Sequence, residues 1–193
     1  MKFVEPIRDA EKINLLGEYL WKKSPKWGLY FYLGINTSLR VSDLIKLKKM
    51  DLLGSHIEIQ EKKTEKTKRI LINDSLREKI NIYLQSVFLD KAVLPESYLF
   101  TYRGNLNHVS RQAASNILSN AAKELGIVKF NNHSLRKTFG YHIYKKTNDL
   151  ALVMKFLNHS NLSSTLRYLG IAQDQMDQTI KNFNPGDGKN EIH

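Results

Sequence analysis

Cysteine is missing from the 193-residue chain. Its absence excludes a disulfide scaffold, a thiolate metal site and a cysteine nucleophile. Acidic residues are scarce, with nineteen Asp and Glu against thirty Lys and Arg. Nothing in the sequence resembles a carboxylate cage, which sets a metal-dependent nuclease aside. No GxxxxGK[ST] loop is present, which argues against use of a nucleoside triphosphate. No apolar run approaches the ~20 residues that span a bilayer. The opening MKFVEPIRDAEK is too charged for a secretory leader. These absences lead to the expectation of a cytoplasmic protein with no cofactor and no membrane partner.

The excess of lysine and arginine gives a formal charge of +11 and a pI near 9.7. Such a balance attracts polyanions, nucleic acid first and anionic membrane second. At 41% hydrophobic residues the chain can bury a full core. Its length fits one domain or one domain with a small appendage. No internal repeat is visible. The final stretch NPGDGKNEIH, residues 184–193, is too polar to pack and is expected to be a disordered tail.

Periodicity predicts a mostly helical domain with one small antiparallel β-sheet, an α+β arrangement. A first helix follows Asp9, with Ile13, Leu16 and Leu20 at helical spacing and Lys22 and Lys23 at its end. A second begins at Ser24-Pro25, with Ser24 as N-cap, and its body from Trp27 to Ile35 is apolar on nearly every face. Ser42 is expected to cap a short helix through Leu47. His56 to Gln60 and Lys68 to Ile72 alternate polar and apolar residues and read as two strands of a hairpin, with a lysine-rich tip over Glu61 to Thr67. Further helices are expected from Ser75 to Phe88, from Ser110 to Gly126, from Asn132 or His133 to about Lys146, and from Asp149 to Leu157. A short extended piece at Tyr98-Leu99-Phe100 closes in a turn at Gly104-Asn105. Ser163 to Tyr168 reads as helix, and Gln173 to Phe183 as a last amphipathic segment.

Four segments carry reactive side chains. They are Leu39-Arg40-Val41-Ser42-Asp43, Lys63-Thr64 at the hairpin tip, His133-Ser134-Leu135-Arg136, and Leu157-Asn158-His159-Ser160 followed nine residues on by Tyr168. His133 and Arg136 lie one turn apart on one helix face. Two arginines can grip a phosphate from two sides through bidentate hydrogen bonds. A tyrosine hydroxyl, with an ordinary pKa of about 10, attacks only when its proton is removed or its anion stabilised, and nearby cations do both. A lysine on a hairpin can protonate a leaving oxygen. Histidine suits proton traffic or a phosphate hydrogen bond.

In these residues the chain resembles the tyrosine recombinase (phage integrase) family. That pattern has an early Arg, a hairpin Lys, an H-x-x-R pair, a His in an L-x-H-S segment and a Tyr about nine residues later. Arg40, Lys63, His133 with Arg136, His159 and Tyr168 match it in order, within a likeness running from about Lys12 to Phe183. The resemblance implies the catalytic-domain fold of the family for residues 1–183. It implies that Arg40, Arg136 and His159 hold the scissile phosphate, that Lys63 protonates the departing 5′ oxygen, and that His133 assists proton transfer at Tyr168. Tyr168 would form a 3′-phosphotyrosyl bond that preserves the phosphodiester energy, so that rejoining needs neither ATP nor metal. Asp43 matches the acidic residue that buttresses the site. Double-stranded DNA is the implied partner. A homo-oligomer on DNA is expected through residues 173–183, whose Gln173, Met176, Ile180 and Phe183 form an apolar stripe that could equally cover its own domain. The family's N-terminal core-binding domain is expected to be absent. The chain would then be either a fragment of a longer integrase or a single-domain recombinase of a bacterial mobile element, prophage or invertible segment.

Taken singly, each of these residues has a plainer reading as a surface charge, a helix cap or a packed tyrosine. Together, their order is what needs explaining. Lys62, Thr64, Lys66, Arg103, Arg111, Lys137 and Arg167 are candidate DNA-backbone contacts, each a single charge or hydroxyl. His56, His108 and His142 read as structural. Two other functions share features with this pattern. A type IB topoisomerase uses related chemistry, although the L-N-H-S segment favours the recombinase. A silent DNA-binding module would not need the reactive set intact.

Overall fold

Helix boundaries follow local capping chemistry. The Asp9 carboxylate accepts from the Glu11 N–H at 2.8 Å and starts α1 (Ala10–Lys23). Ser24 closes α1 through its own N–H to the Leu20 carbonyl and also begins α2 (Pro25–Thr37), but its hydroxyl makes no capping bond there. Proline at the first helical position has no N–H to orphan and needs less help. The computed structural model describes residues 4–60, 67–88, 95–102 and 106–183.

Past α2 the chain turns at Ser38 in the left-handed region (φ 56°) and enters α3 (Val41–Leu44). Arg40, not Ser42, occupies the N-cap of α3, and the Ser42 hydroxyl donates to Asp43 Oδ1 at 3.2 Å instead. The expected helix through Leu47 is cut short, because a 3₁₀ turn at Lys49–Leu52 follows within a few residues. Strands β1 (His56–Gln60) and β2 (Thr67–Leu71) pair antiparallel, with Glu58 opposite Arg69 and an ion pair between them at 3.0 Å. The expected basic hairpin tip, residues 61–66, lies outside the described residues. Helix α4 (Asp74–Phe88) follows. Tyr98 and Thr101 form isolated bridges to Lys48 and His108. The turn expected at Gly104-Asn105 lies outside the described residues.

Ser110 caps α5 (Arg111–Glu124) by accepting from the Ala113 N–H, and Gly126 takes a positive φ of 69° after it. Asn131 and Ser134 form a reciprocal capping box at the start of α6 (Asn132–Thr147). Asp149 caps α7 (Leu150–Leu157), Asn161 caps α8 (Leu162–Leu169), and α9 (Ile171–Asn182) ends the described chain. Nine helices and one two-stranded sheet among the described residues match the mainly α reading with a small antiparallel sheet.

Two apolar clusters organise these elements. The larger one gathers Leu29, Phe31 and Leu33 of α2 with residues of α1, α3, β1, α4, α5 and the start of α6. The smaller one holds Val153 and Leu157 of α7 with Leu169 and Ile171. Helix α6 joins the two. At one end Leu135 presses on α2 at Gly34, where a Cβ would sit 2.5 Å from Leu135 Cδ1. At the other, a Cβ on Gly140 would lie 2.8 Å from Leu169 Cδ2. Both crossings need glycine, and both hold α6 close to the segments that carry the reactive residues. Among the described residues no helix is long and apolar enough to cross a membrane.

Candidate active site

Arg40, His133, Arg136, His159 and Tyr168, separated by up to 128 positions in sequence, line one cleft of about 290 Å³ together with Ser42 and Arg111. Each arrives by a different local device. The left-handed Ser38 reverses the chain so that the exposed Arg40 stands at the start of α3. The capping box at Asn131 starts α6 so that His133 and Arg136 share its cleft-facing side. A second left-handed residue, Asn158 (φ 48°), ends α7, and the His159 N–H bonds back to the Met154 carbonyl at 2.9 Å. Tyr168 sits in the last turn of α8.

Arg136 is the structural hub. It is 7% exposed, and its two terminal nitrogens donate to the Ser38 and Leu157 carbonyls. One guanidinium therefore ties the turn before Arg40 to the turn before His159. Burial holds its pKa below the ordinary arginine value, and the Tyr168 hydroxyl and the Asp43 charge partly oppose that shift. Asp43 lies outside the cleft lining, and its charge bears on the Arg136 guanidinium.

The Tyr168 ring meets the His159 ring edge-on, with centroids 5.1 Å apart and planes at 83°. Burial pushes the Tyr168 hydroxyl above the usual tyrosine pKa. Arg136, by charge and hydrogen bond, and Arg40, by charge, push the other way and offset part of that shift. His159 is held below the ordinary histidine pKa by burial and by the Arg136 and Arg40 charges. Its Nδ1 lies 3.1 Å from Thr165 Oγ1, whose own proton goes to the Asn161 carbonyl at 2.8 Å. That chain makes Nδ1 the donor and leaves the Nε2 lone pair as an acceptor.

Several contributors carry no local signal in the sequence. The Ser38 carbonyl and Thr165 are two. Lys68 is a third: from β2 its ammonium donates to Ser38 Oγ at 3.3 Å and to the Phe156 carbonyl at 2.9 Å, fastening the sheet to the same two turns that Arg136 joins.

The other candidates divide. Arg111 is exposed and lines the cleft. Arg167 is exposed on α8 but is not among the residues lining the cleft. Lys137 departs from the reading as a phosphate contact. It is 6% exposed, its ammonium donates to the Val4 carbonyl at 2.7 Å, and it stands 5.0 Å from the centroid of the Tyr168 ring. An ammonium buried in that way is not displayed to a DNA backbone. Lys62, Lys63, Thr64, Lys66 and Arg103 lie outside the described residues. Among the described residues no group of three or more His, Asp or Glu side chains is placed to hold a metal ion.

The sequence pattern of the phage integrase family matches residues 13–175. A probable integrase/recombinase, YoeC, of Bacillus subtilis (strain 168) is 39% identical over 184 residues, covering 95% of this chain and 98% of that protein. Tyrosine recombinase XerC of Bacillus licheniformis is 32% identical over 155 residues, covering 77% of this chain but 50% of that protein. The chain thus spans nearly all of the first relative and half of the second. Among solved structures, XerA recombinase superposes with a TM-score of 0.73 at 18% identity, over 95% of this chain and 68% of that one. The catalytic domain of bacteriophage HP1 integrase gives 0.58 at 20% identity, over 96% and 98%. At these identities the structures establish a shared fold.

Proposed function

Because this chain belongs to the phage integrase family, whose members YoeC and XerC are named as recombinases, we propose that its cleft cleaves and rejoins DNA through Tyr168. The observation that carries this reading is the convergence of Arg40, Arg136, His159 and Tyr168 in one cleft. A phosphodiester seated there meets Arg40 from α3, Arg136 from α6 and His159 from the α7–α8 turn. The negative charge that develops on the phosphorus oxygens is met by groups already in place, which lowers the barrier without reorganisation. The Tyr168 oxygen attacks the phosphorus as its proton departs, with exposed His133 at the cleft edge to assist. The 5′ oxygen leaves with a proton from Lys63. The resulting 3′-phosphotyrosyl ester retains the energy of the bond that was broken, and attack by a 5′ hydroxyl reverses the step.

Double-stranded DNA as the partner follows from the same reading, as does action in the cytoplasm of a bacterium, on a mobile element, prophage or invertible segment. One neighbour in structure, XerH, was solved bound to its difH substrate, and another, lambda integrase, as a dimer on a core site. For this chain an oligomer on DNA is supported by α9 and its C-cap, where Met176, Ile180 and Phe183 are exposed. A nicked duplex that loses its short 5′-hydroxyl fragment after cleavage traps the covalent stage. Duplexes of this kind, tiled across the DNA flanking the gene, are expected to yield a protein–DNA adduct with the natural chain and none with Tyr168→Phe. Adduct formation by the Phe variant would remove Tyr168 from the mechanism.

A further inference from the structure

Arg136 and Lys137 are neighbours on α6, yet only Arg136 lines the cleft. Lys137 is buried, and a buried ammonium needs compensating partners. Two of them are the Val4 carbonyl and the face of the Tyr168 ring. The carbonyl belongs to a short segment that is itself laid firmly on α6. The Ile7 N–H donates to Thr138 Oγ1 at 2.9 Å, the His142 Nε2–H donates to the Ile7 carbonyl at 2.9 Å, and both Val4 and Ile7 are buried. The next residue, Arg8, crosses the Tyr141 ring and donates to the Gly170 carbonyl at 3.3 Å, at the end of α8. A cation suits that helix end. Gly170 takes a φ of 71°, and a Cβ there would come 3.0 Å from the Arg8 guanidinium.

The segment thus reaches α8 twice, at Tyr168 through Lys137 and at Gly170 through Arg8. Helix α8 has eight residues and buries only Thr165 and Leu169. A helix that short has little stability of its own and takes its position from its contacts. Given Tyr168 as the nucleophile, on which the point rests, we propose that Lys137 is a positioning residue for Tyr168 and that Val4–Arg8 is the anchor that holds it. Pulling this segment away loosens the nucleophile while leaving the Arg40–Arg136–His159 phosphate grip intact.

The test uses the full chain and the tiled nicked duplexes. Lys137→Met is expected to slow adduct formation about tenfold, the size set by loss of a buried cation–π contact and a small misplacement of the attacking group, and Arg8→Ala, separately, is expected to slow it through the misplacement alone. DNA affinity is expected to stay unchanged. Lys137→Arg is expected to recover most of the rate, since a guanidinium can meet the same carbonyl and ring. Hydrogen exchange is expected to quicken about tenfold in α8 and not in β1–β2. An unchanged adduct rate with unchanged exchange in α8 would overturn the proposal, as would affinity falling in step with rate, which would make Lys137 a DNA contact. Loss of adduct in Tyr168→Phe alongside normal Lys137→Met would sink the anchor and keep the nucleophile. Adduct in Tyr168→Phe would sink the nucleophile, while exchange in α8 would still report whether the anchor holds.

Discussion

Replacing Arg136 by lysine separates the structural work of this residue from its chemistry. The guanidinium donates to the Ser38 carbonyl with one nitrogen and to the Leu157 carbonyl with the other, and the side chain is 7% exposed. A lysine carries a single ammonium and cannot span the two carbonyls in the same fork geometry. One buried carbonyl is left without its donor, at about 1–3 kcal/mol. For a chain of this length each kcal/mol moves the thermal midpoint by about 2–4 °C. The expected drop is therefore about 2–12 °C, measured by thermal denaturation monitored by circular dichroism. Adduct formation is expected to fall by about 10²–10³-fold, the usual cost of one donor to a developing anion. Arg40→Lys supplies the contrast. Arg40 is exposed at the N-cap of α3, so its midpoint is expected to hold while its adduct rate falls. An Arg136→Lys protein as stable as the natural chain would refute the hub role, and the reasoning from the two carbonyls with it.

Three further outcomes follow from the structure. His159 titrates below its unfolded value, so the unfolded chain binds the extra proton first and stability is lost as pH falls below about 6.5. In urea titrations the natural chain is expected to lose more stability between pH 7.5 and pH 5.5 than His159→Gln does, and an equal loss in both would contradict the shift. Lys68→Met removes two hydrogen bonds of about 0.5–1.5 kcal/mol each. It is expected to lower the unfolding free energy by about 1–3 kcal/mol and to quicken amide exchange in β2, whereas unchanged exchange there would show that the sheet is held by other contacts. With a formal charge of +11, the chain is expected to bind DNA through its backbone phosphates, and fluorescence anisotropy should show affinity falling by orders of magnitude between 50 and 200 mM salt, as expected when about 6–10 phosphates are contacted. Tight binding that ignores salt would oppose a backbone-dominated interface.

Where a residue acts on its immediate neighbours, the sequence was a good guide. Asp9, Ser110 and Asp149 start helices because their side chains accept from backbone N–H groups two or three residues on, a relation visible in any local window. The alternation in His56–Gln60 shows in the same way as a strand. The grouping of Arg40, Arg136, His159 and Tyr168 was legible only through the order of the motifs, since no local rule brings positions 40 and 168 together. Contacts between distant segments stayed hidden. Ser42 reads as a cap, but the left-handed Ser38 sets the start of α3 and gives that place to Arg40. Lys137 reads as a surface charge, and only the Val4 carbonyl, 133 positions away, makes its burial intelligible. The Ser38 carbonyl matters to the site through a backbone oxygen, which every residue has, so no residue type announces it.

The central claim is that Tyr168 becomes covalently attached to DNA through a 3′ phosphate. Trapped adduct digested with nuclease and protease and sequenced by tandem mass spectrometry tests it most directly. The expected result is a nucleotide linked by its 3′ phosphate to Tyr168 within the Leu166-Arg167-Tyr168 peptide. A nucleotide on any other side chain, or one linked through a 5′ phosphate, would contradict the account.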